Sequence, residues 1–434
     1  MKVNTAPASI YTHEGAKAQH INAEQQLRRS VMSCLLWEKQ FYEDGEEIAE
    51  RVARTIPLVH ATTVAEIAIE AREKMKLRHM PLFIVREMAR LKTHKYLVAK
   101  TLERIIQRAD ELSEFVALYW KDGRQPLSAQ VKKGLAAAFR KFNEYALAKY
   151  NRDGIVKLKD VLFLCHAKPK DKEQEELWKR LIAGKLATPD TWEVALSAGK
   201  NKKETWERLI TENKLGGLAF LRNLRNMKIA GVSEDIVFSG LSKIKTEKIL
   251  PFQFIAAAKH VPQWEAQIEP VMLKCLEGKP KLQGKTALVV DGSGSMFEAP
   301  ISKKSKIDRF EAAAALAILI REICEQCTIV IFSENAFLIP PLRGFALRDA
   351  LKSQAEQGGT YTQNGILKAA EEGYDRIIVL TDEQSHQPVY NPLAGTKAYM
   401  VNVASYQNGI GYGEWTHIDG WSESILDYIE RAEQ

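Results

Sequence analysis

From about residue 22 to residue 277 the apolar positions recur three and four apart. Ile48, Val52 and Ile56 are spaced by four, as are Ile67, Ala71 and Met75, so each set lines one face of a helix. Residues 95–108, 130–149, 175–186 and 205–209 carry apolar stripes opposite Lys and Arg. Pro57, Pro81, Pro126, Pro169, Pro189, Pro251 and Pro262 fall between these segments or at their starts, where a missing N–H does least harm. Strand signals are almost absent. Such an array predicts helix pairs stacked on one another in a solenoid, although no strict sequence period is visible.

The period changes after Gly278-Lys279-Pro280. Short Val/Ile/Leu runs at 286–290, 328–332, 376–380 and 398–403 alternate with helical patterns at 308–323, 346–354, 364–372 and 423–431. Continuous apolar strands alternating with helices predict a parallel sheet covered on both faces, a doubly wound α/β unit. The expected division is an N-terminal segment at 1–21, a helical-repeat domain at 22–280 and the α/β domain at 284–434.

The 434 residues are too many for one core and suggest two or three units at roughly 150 residues each. With 45% hydrophobic and 27% charged residues the chain is expected to fold. No apolar run reaches the roughly 18–20 residues of a membrane span, and no apolar leader opens the chain. The five cysteines do not make a disulfide framework. A cytoplasmic protein without a membrane partner is expected. The net charge of +7 conceals a split: residues 284–434 hold 13 Lys and Arg against 20 Asp and Glu, a net −7, which leaves +14 elsewhere. A basic half of that size favours a polyanion, with nucleic acid the leading candidate, although well-solvated helices would look the same.

In open α/β sheets ligands bind beyond the carboxyl ends of the strands. There the sequence reads Asp291-Gly292-Ser293-Gly294-Ser295, in which alternating oxygen-bearing side chains can converge while glycine lets the backbone turn. Thr360 follows Gly358-Gly359, and Asp382 ends a strand-like run. Oxygen donors with few carboxylates suit Mg²⁺, or Mn²⁺ or Ca²⁺, better than Zn²⁺ and leave positions for water or an acidic ligand. Lys303, Lys304 and Lys306 follow the loop and could steer an anion. His386 supplies no obvious general base and reads as a surface histidine. The pattern resembles the metal-ion-dependent adhesion site of von Willebrand factor A domains, which implies partner capture through an acidic group.

Cations also gather with a histidine in Lys149-Tyr150-Asn151-Arg152-Asp153-Gly154 and Cys165-His166-Ala167-Lys168-Pro169-Lys170. Leu158, Val161, Leu162 and Leu164 can anchor a helix whose end presents His166, Lys168 and Lys170 as a phosphate-contacting ridge. By physics alone His166 is more often a satisfied helix-end histidine than an RNA ligand. The segment resembles the TROVE module of the Ro ribonucleoprotein family at Lys149, Tyr150, Gly154, Lys159, Asp160, Leu162, His166, Lys168 and Pro169. Residues 218–227, with Leu221-Arg222-Asn223-Leu224, and Leu250-Pro251-Phe252 resemble further family segments. The resemblance implies a monomeric, ring-like α-solenoid of HEAT-like repeats closed by a von Willebrand A domain. It implies small noncoding Y-like RNA on the outer surface, misfolded or single-stranded RNA ends in the hole, and a role in RNA quality control beside an exoribonuclease. Lys149, His166, Lys168 and Arg140 are then candidates for the outer surface, with Arg152 and Lys170 in the same basic cluster, and Arg222 and Arg225 for the hole. Asp153 and Ile155 depart from the family pattern, which has an arginine and a tryptophan there.

Other motifs lead elsewhere. Gly284-Lys285-Thr286 precedes a strand where a phosphate-binding loop should follow one. Cys324-x-x-Cys327 lacks a second pair for zinc and reads as core thiols. Trp178, Trp192 and Trp206 read as helix packing. The expectation is a noncatalytic RNA-binding protein; the alternatives are a metal-dependent assembly factor and a Mg²⁺-dependent nuclease.

Overall fold

The computed structural model describes residues 10–18, 21–33, 45–197, 201–246, 249, 251–276, 280–298, 308–404, 408–411, 413–419, 429 and 433. The chain forms two compact units, Glu50–Leu209, and Ile210–Gln434 together with Met1–Ala49. The helical segment expected at 22–280 is thus shared between them.

Glu50–Leu209 is built from short helices. In Ala61–Glu73 the buried positions Val64, Ile67, Ala68 and Ala71 follow the helical period, as do Val98, Leu102 and Ile105 in Val98–Ile105. The helix Val98–Ile105 lies against Ala129–Phe139 at Gly134, where a Cβ would stand 2.9 Å from the Ala99 carbonyl oxygen, so this close crossing requires glycine. Arg72 ties three elements together. Its guanidinium donates to the Ile105 carbonyl at 2.9 Å and to the Glu111 carboxylate at 2.6 Å. Glu111 in turn accepts from the backbone N–H of Gln107 and Arg108. A buried ion pair is tolerable only when its remaining hydrogen-bonding capacity is met in this way. The single helix expected over 130–149 is two, Ala129–Phe139 and Glu144–Tyr150. Asn143 starts the second by accepting the Ala146 N–H at 2.9 Å, a cap that apolar spacing does not reveal. Trp178 packs edge-on against Phe139 and Trp192 stacks on Trp206, as expected of helix packing.

The other unit carries a six-stranded sheet in the order β3-β2-β1-β4-β5-β6, with β1 Leu282–Asp291, β2 Cys324–Phe332, β3 Ala336–Ile339, β4 Arg376–Thr381, β5 Lys397–Asn402 and β6 Thr416–Asp419. Central β1 pairs in parallel with β2 and with β4, Val289 opposite both Val330 and Val379, and all three valines are buried. Every residue of the helix Arg309–Ile323 except Arg321 is buried, which accounts for the long Ala/Ile/Leu run. The sheet is mixed and not wholly parallel: β3 runs antiparallel on β2. With four residues each and Phe337 and Leu338 exposed, edge strands such as β3 leave too short a pattern to read. The helix expected at 423–431 lies outside the described residues except for Ile429. Among the described residues no helix is long and apolar enough to cross a membrane.

Candidate functional site

Because β1 connects to β2 on one side and pairs with β4 on the other, the sheet has its topological switch point between β1 and β4. Asp291 ends β1 and Asp382 follows β4, so two carboxylates separated by 91 residues in sequence become neighbours. Both are fully buried. Asp291 accepts the Thr381 hydroxyl at 2.6 Å and the Ser293 N–H at 2.9 Å. The Ser293 and Ser295 hydroxyl oxygens lie 3.3 Å apart. The glycines clamp this loop to its neighbours: Gly292 N–H donates to the Phe332 carbonyl, Gly294 N–H to that of Gly358, and Gln357 N–H returns to Gly292.

Thr360 is buried on the same face and is held by His386, whose Nδ1 accepts the Thr360 N–H at 3.1 Å while its ring stacks on Tyr361. His386 is exposed, as expected of a surface histidine, and also fastens this loop. Its Nε2 lies 3.2 Å from the Glu14 carboxylate, part of a small N-terminal hairpin bridged at Tyr11 and Lys17. Thr12 donates to the Ser385 carbonyl and His13 N–H to the Gln384 side chain, which docks the hairpin on the segment after β4.

Burial first, and then the charge on Asp382, hold the Asp291 carboxyl well above the usual range. Two buried carboxylates side by side call for a cation. One is internal: the Arg309 guanidinium, also fully buried, stands 3.4 Å from Asp382 Oδ2 and 3.4 Å from the Ser295 carbonyl. Sequence reasoning overlooked Arg309. Of the five side chains expected to hold a metal, Asp291, Ser293 and Ser295 share the loop after β1, Asp382 follows β4, and Thr360 lies two residues past Gly358, which that loop contacts; their oxygen donors fit a hard divalent cation. Only two are carboxylates, and among the described residues no set of three or more His, Cys, Asp or Glu gathers at one point. Lys303, Lys304 and Lys306 lie outside the described residues.

The basic ridge belongs to Glu50–Leu209, which holds 33 Lys and Arg against 21 Asp and Glu and so carries most of the positive excess. The helix Leu158–Leu164 buries Leu158, Val161 and Leu162. Asp160 starts it by accepting the Lys157 N–H at 2.9 Å. The helix ends in His166, whose φ of +52° places it in the left-handed region where glycine is usual. The turn is closed by His166 N–H to Phe163 and Ala167 N–H to Leu162, and it presents the imidazole to solvent. Arg140 donates to the Lys168 carbonyl at 2.9 Å, and its own carbonyl accepts from the Gln174 side chain. Lys132, not foreseen, brings its ammonium to 3.5 Å from His166 Nε2. Arg140, His166 and Lys168 thus form one exposed cluster with Lys132.

The remaining candidates are not drawn into those contacts. Lys149 is half-buried, with its ammonium over the Tyr145 and Tyr150 rings. Arg152 is exposed on the following loop, and Lys170 faces Asp171 at 3.8 Å. Asp153 pairs with Lys157 at the surface, and Ile155 is 95% exposed. Arg222 and Arg225 occupy the exposed face of Gly217–Ile229 in the other unit, with Leu221 and Leu224 buried behind them.

A helical array followed by a doubly wound sheet with this loop defines the class: a helical-repeat protein ending in a von Willebrand A-like domain. The same architecture occurs in the crystal structure of the Deinococcus radiodurans RO (RSR) protein, which aligns with a TM-score of 0.60 at 18% identity over 94% of this chain and 98% of that one. The TROVE domain family model matches residues 172–310, from just past Lys170 to the start of the helix Arg309–Ile323. Telomerase protein component 1 of Mus musculus and that of Rattus norvegicus are each 37% identical over 100 residues, or 21% of this chain, and the matched stretch is only 4% of their length. The chain is thus similar to TROVE-domain proteins over residues 172–310 and shares the fold of the Ro structure.

Proposed function

We propose that this chain is an RNA-binding protein whose helical unit grips RNA through phosphates, with Lys132, Arg140, His166 and Lys168 as the gripping cluster. The observation that carries the reading is the pair of contacts Arg140 to the Lys168 carbonyl and Lys132 to His166. Together they place four cationic or cation-capable groups on a unit with a large positive excess, where each neutralised phosphate releases counterions. The family likeness supports the finer reading: a small noncoding, Y-like RNA on the outer surface, misfolded or single-stranded RNA ends as a second class of ligand, and cytoplasmic RNA quality control in company with an exoribonuclease. Filter-binding titrations against salt test it. Affinity should fall steeply with ionic strength, drop when Lys132, His166 and Lys168 are replaced by Ala, and survive Asp291→Ala. Loss of binding in the Asp291 variant alone, or no complex at low salt, would contradict it.

A second reading concerns the sheet unit and rests on the buried Asp291 and Asp382 pair. Bound Mg²⁺, Mn²⁺ or Ca²⁺ would supply a positive centre able to accept a partner's carboxylate oxygen. Asp291, Ser293, Ser295, Thr360 and Asp382 would hold it. The Thr381 hydroxyl orients Asp291, and His386 holds the Thr360 backbone in place. Calorimetric titration with Mg²⁺ should show binding that Asp291→Ala abolishes.

A further inference from the structure

Beside the basic ridge lies an open cleft of about 470 Å³, walled by Trp120, Arg124, Leu127, Lys132, Phe163 and His166. Its size falls in the range of small-ligand sites, roughly 300–1,000 Å³. Phe163 is 58% exposed, although its neighbours Val161 and Leu162 are buried. A lone exposed Phe means little, but three features converge here. The Trp120 indole is fixed by its N–H to the Gln125 carbonyl at 2.7 Å. The Arg124 guanidinium lies over that indole at 4.8 Å. Lys132 and His166 meet on the other wall, the latter on a left-handed backbone that a β-carbon disfavours.

Flat π faces among cations are what an unpaired base and its phosphate require together. We propose that this cleft is a nucleobase subsite: a base of single-stranded RNA stacks on the Phe163 and Trp120 faces, and Arg124 and Lys132 neutralise the adjoining phosphates. The inference rests on the RNA-binding reading of the ridge and adds that bases, and not only phosphates, are held. A base within a duplex has both faces covered, so the cleft selects unpaired nucleotides.

Fluorescence anisotropy of the full chain with a short labelled oligoadenylate, and with an abasic strand of equal length, tests this. Phe163→Ala should weaken oligoadenylate binding by about 5- to 150-fold, the range of a single stacking contact. It should leave the abasic strand and the salt slope unchanged, and Phe163→Tyr should retain affinity. Lys132→Ala should weaken both probes and lower the salt slope by about 1. If the parent binds both strands equally and Phe163→Ala changes nothing, the base subsite is refuted while the phosphate-gripping ridge stands. Equal losses for both strands in Phe163→Ala also refute it, and a parent that binds neither strand refutes both readings.

Discussion

Arg309 and Asp382, separated by 73 residues in sequence, meet as an ion pair from which solvent is wholly excluded, guanidinium to carboxylate at 3.4 Å. Asp382 also acts on the buried Asp291 carboxyl, so the pair borders a second buried acid. Breaking a buried pair by removing one partner typically costs about 3–5 kcal/mol, because the other charge stays behind. Arg309→Met should therefore lower the melting temperature in EDTA, and Mg²⁺ should restore more of it than it adds to the parent. Equal melting of parent and variant in EDTA would show that the guanidinium does not compensate these acids.

Gly134 is a packing prediction in the helical unit. Gly134→Ala puts a methyl against the Ala99 carbonyl oxygen and the Leu102 Cβ, at 2.9 and 3.0 Å, so the two helices must part. Overpacking of this kind costs about 1–3 kcal/mol. Urea denaturation should show a lower midpoint with little change in slope. An unchanged midpoint would mean that the crossing is looser than described.

Asp308 gives a pH prediction. It starts the helix Arg309–Ile323 by accepting the Glu311 N–H at 2.7 Å, yet burial pushes its carboxyl up to about 6 from an ordinary 3.8. The folded chain thus holds this proton more tightly than the unfolded one. Its contribution is fully present below pH 3.8 and is lost as pH rises through about 6. Asp308→Asn keeps an accepting oxygen at the cap but does not ionise. Between pH 4 and 6 its stability relative to the parent should rise by about 1–3 kcal/mol, measured by denaturation at each pH. A constant difference across that window would contradict the assignment.

The N-terminal hairpin yields a local prediction. Thr12 donates to the Ser385 carbonyl at 2.9 Å and accepts the Ala16 N–H at 3.0 Å, so its one hydroxyl closes the hairpin and docks it. Thr12→Val should cost about 1–3 kcal/mol, most of it local. Amide hydrogen exchange should quicken in residues 10–18 and 383–386 and stay unchanged in β1. Unaltered exchange after β4 would show that the hairpin is not held there.

Strands buried on both faces were legible in the chain. Val289, Val330 and Val379 sit in runs that only a covered sheet can use, and β1, β2, β4 and β5 lie where those runs fall. β3 and β6 were not legible, since four residues cannot establish a period. The Asp291 to Ser295 loop was readable because its donors are local. The role of His386 was not, because it depends on a hydrogen bond to Thr360 from across the loop. Lys132 and Trp120 escaped notice for the same reason: nothing near them in the chain marks them, and their interest lies in facing His166 and Phe163 across one cleft.

By itself the sequence determined which stretches are helix, which are buried strand, where positive charge accumulates and which oxygen-bearing side chains alternate with glycine. All of these are set by neighbours within about one or two turns of chain, through periodicity, backbone freedom and side-chain chemistry. Tertiary structure decided that β4 lies beside β1, that Asp382 and Arg309 close on Asp291, and that Arg140 reaches the Lys168 carbonyl. The physical reason is that burial and charge compensation act between groups brought together through space, and the distance between Asp291 and Asp382 is settled only when the sheet between them is paired.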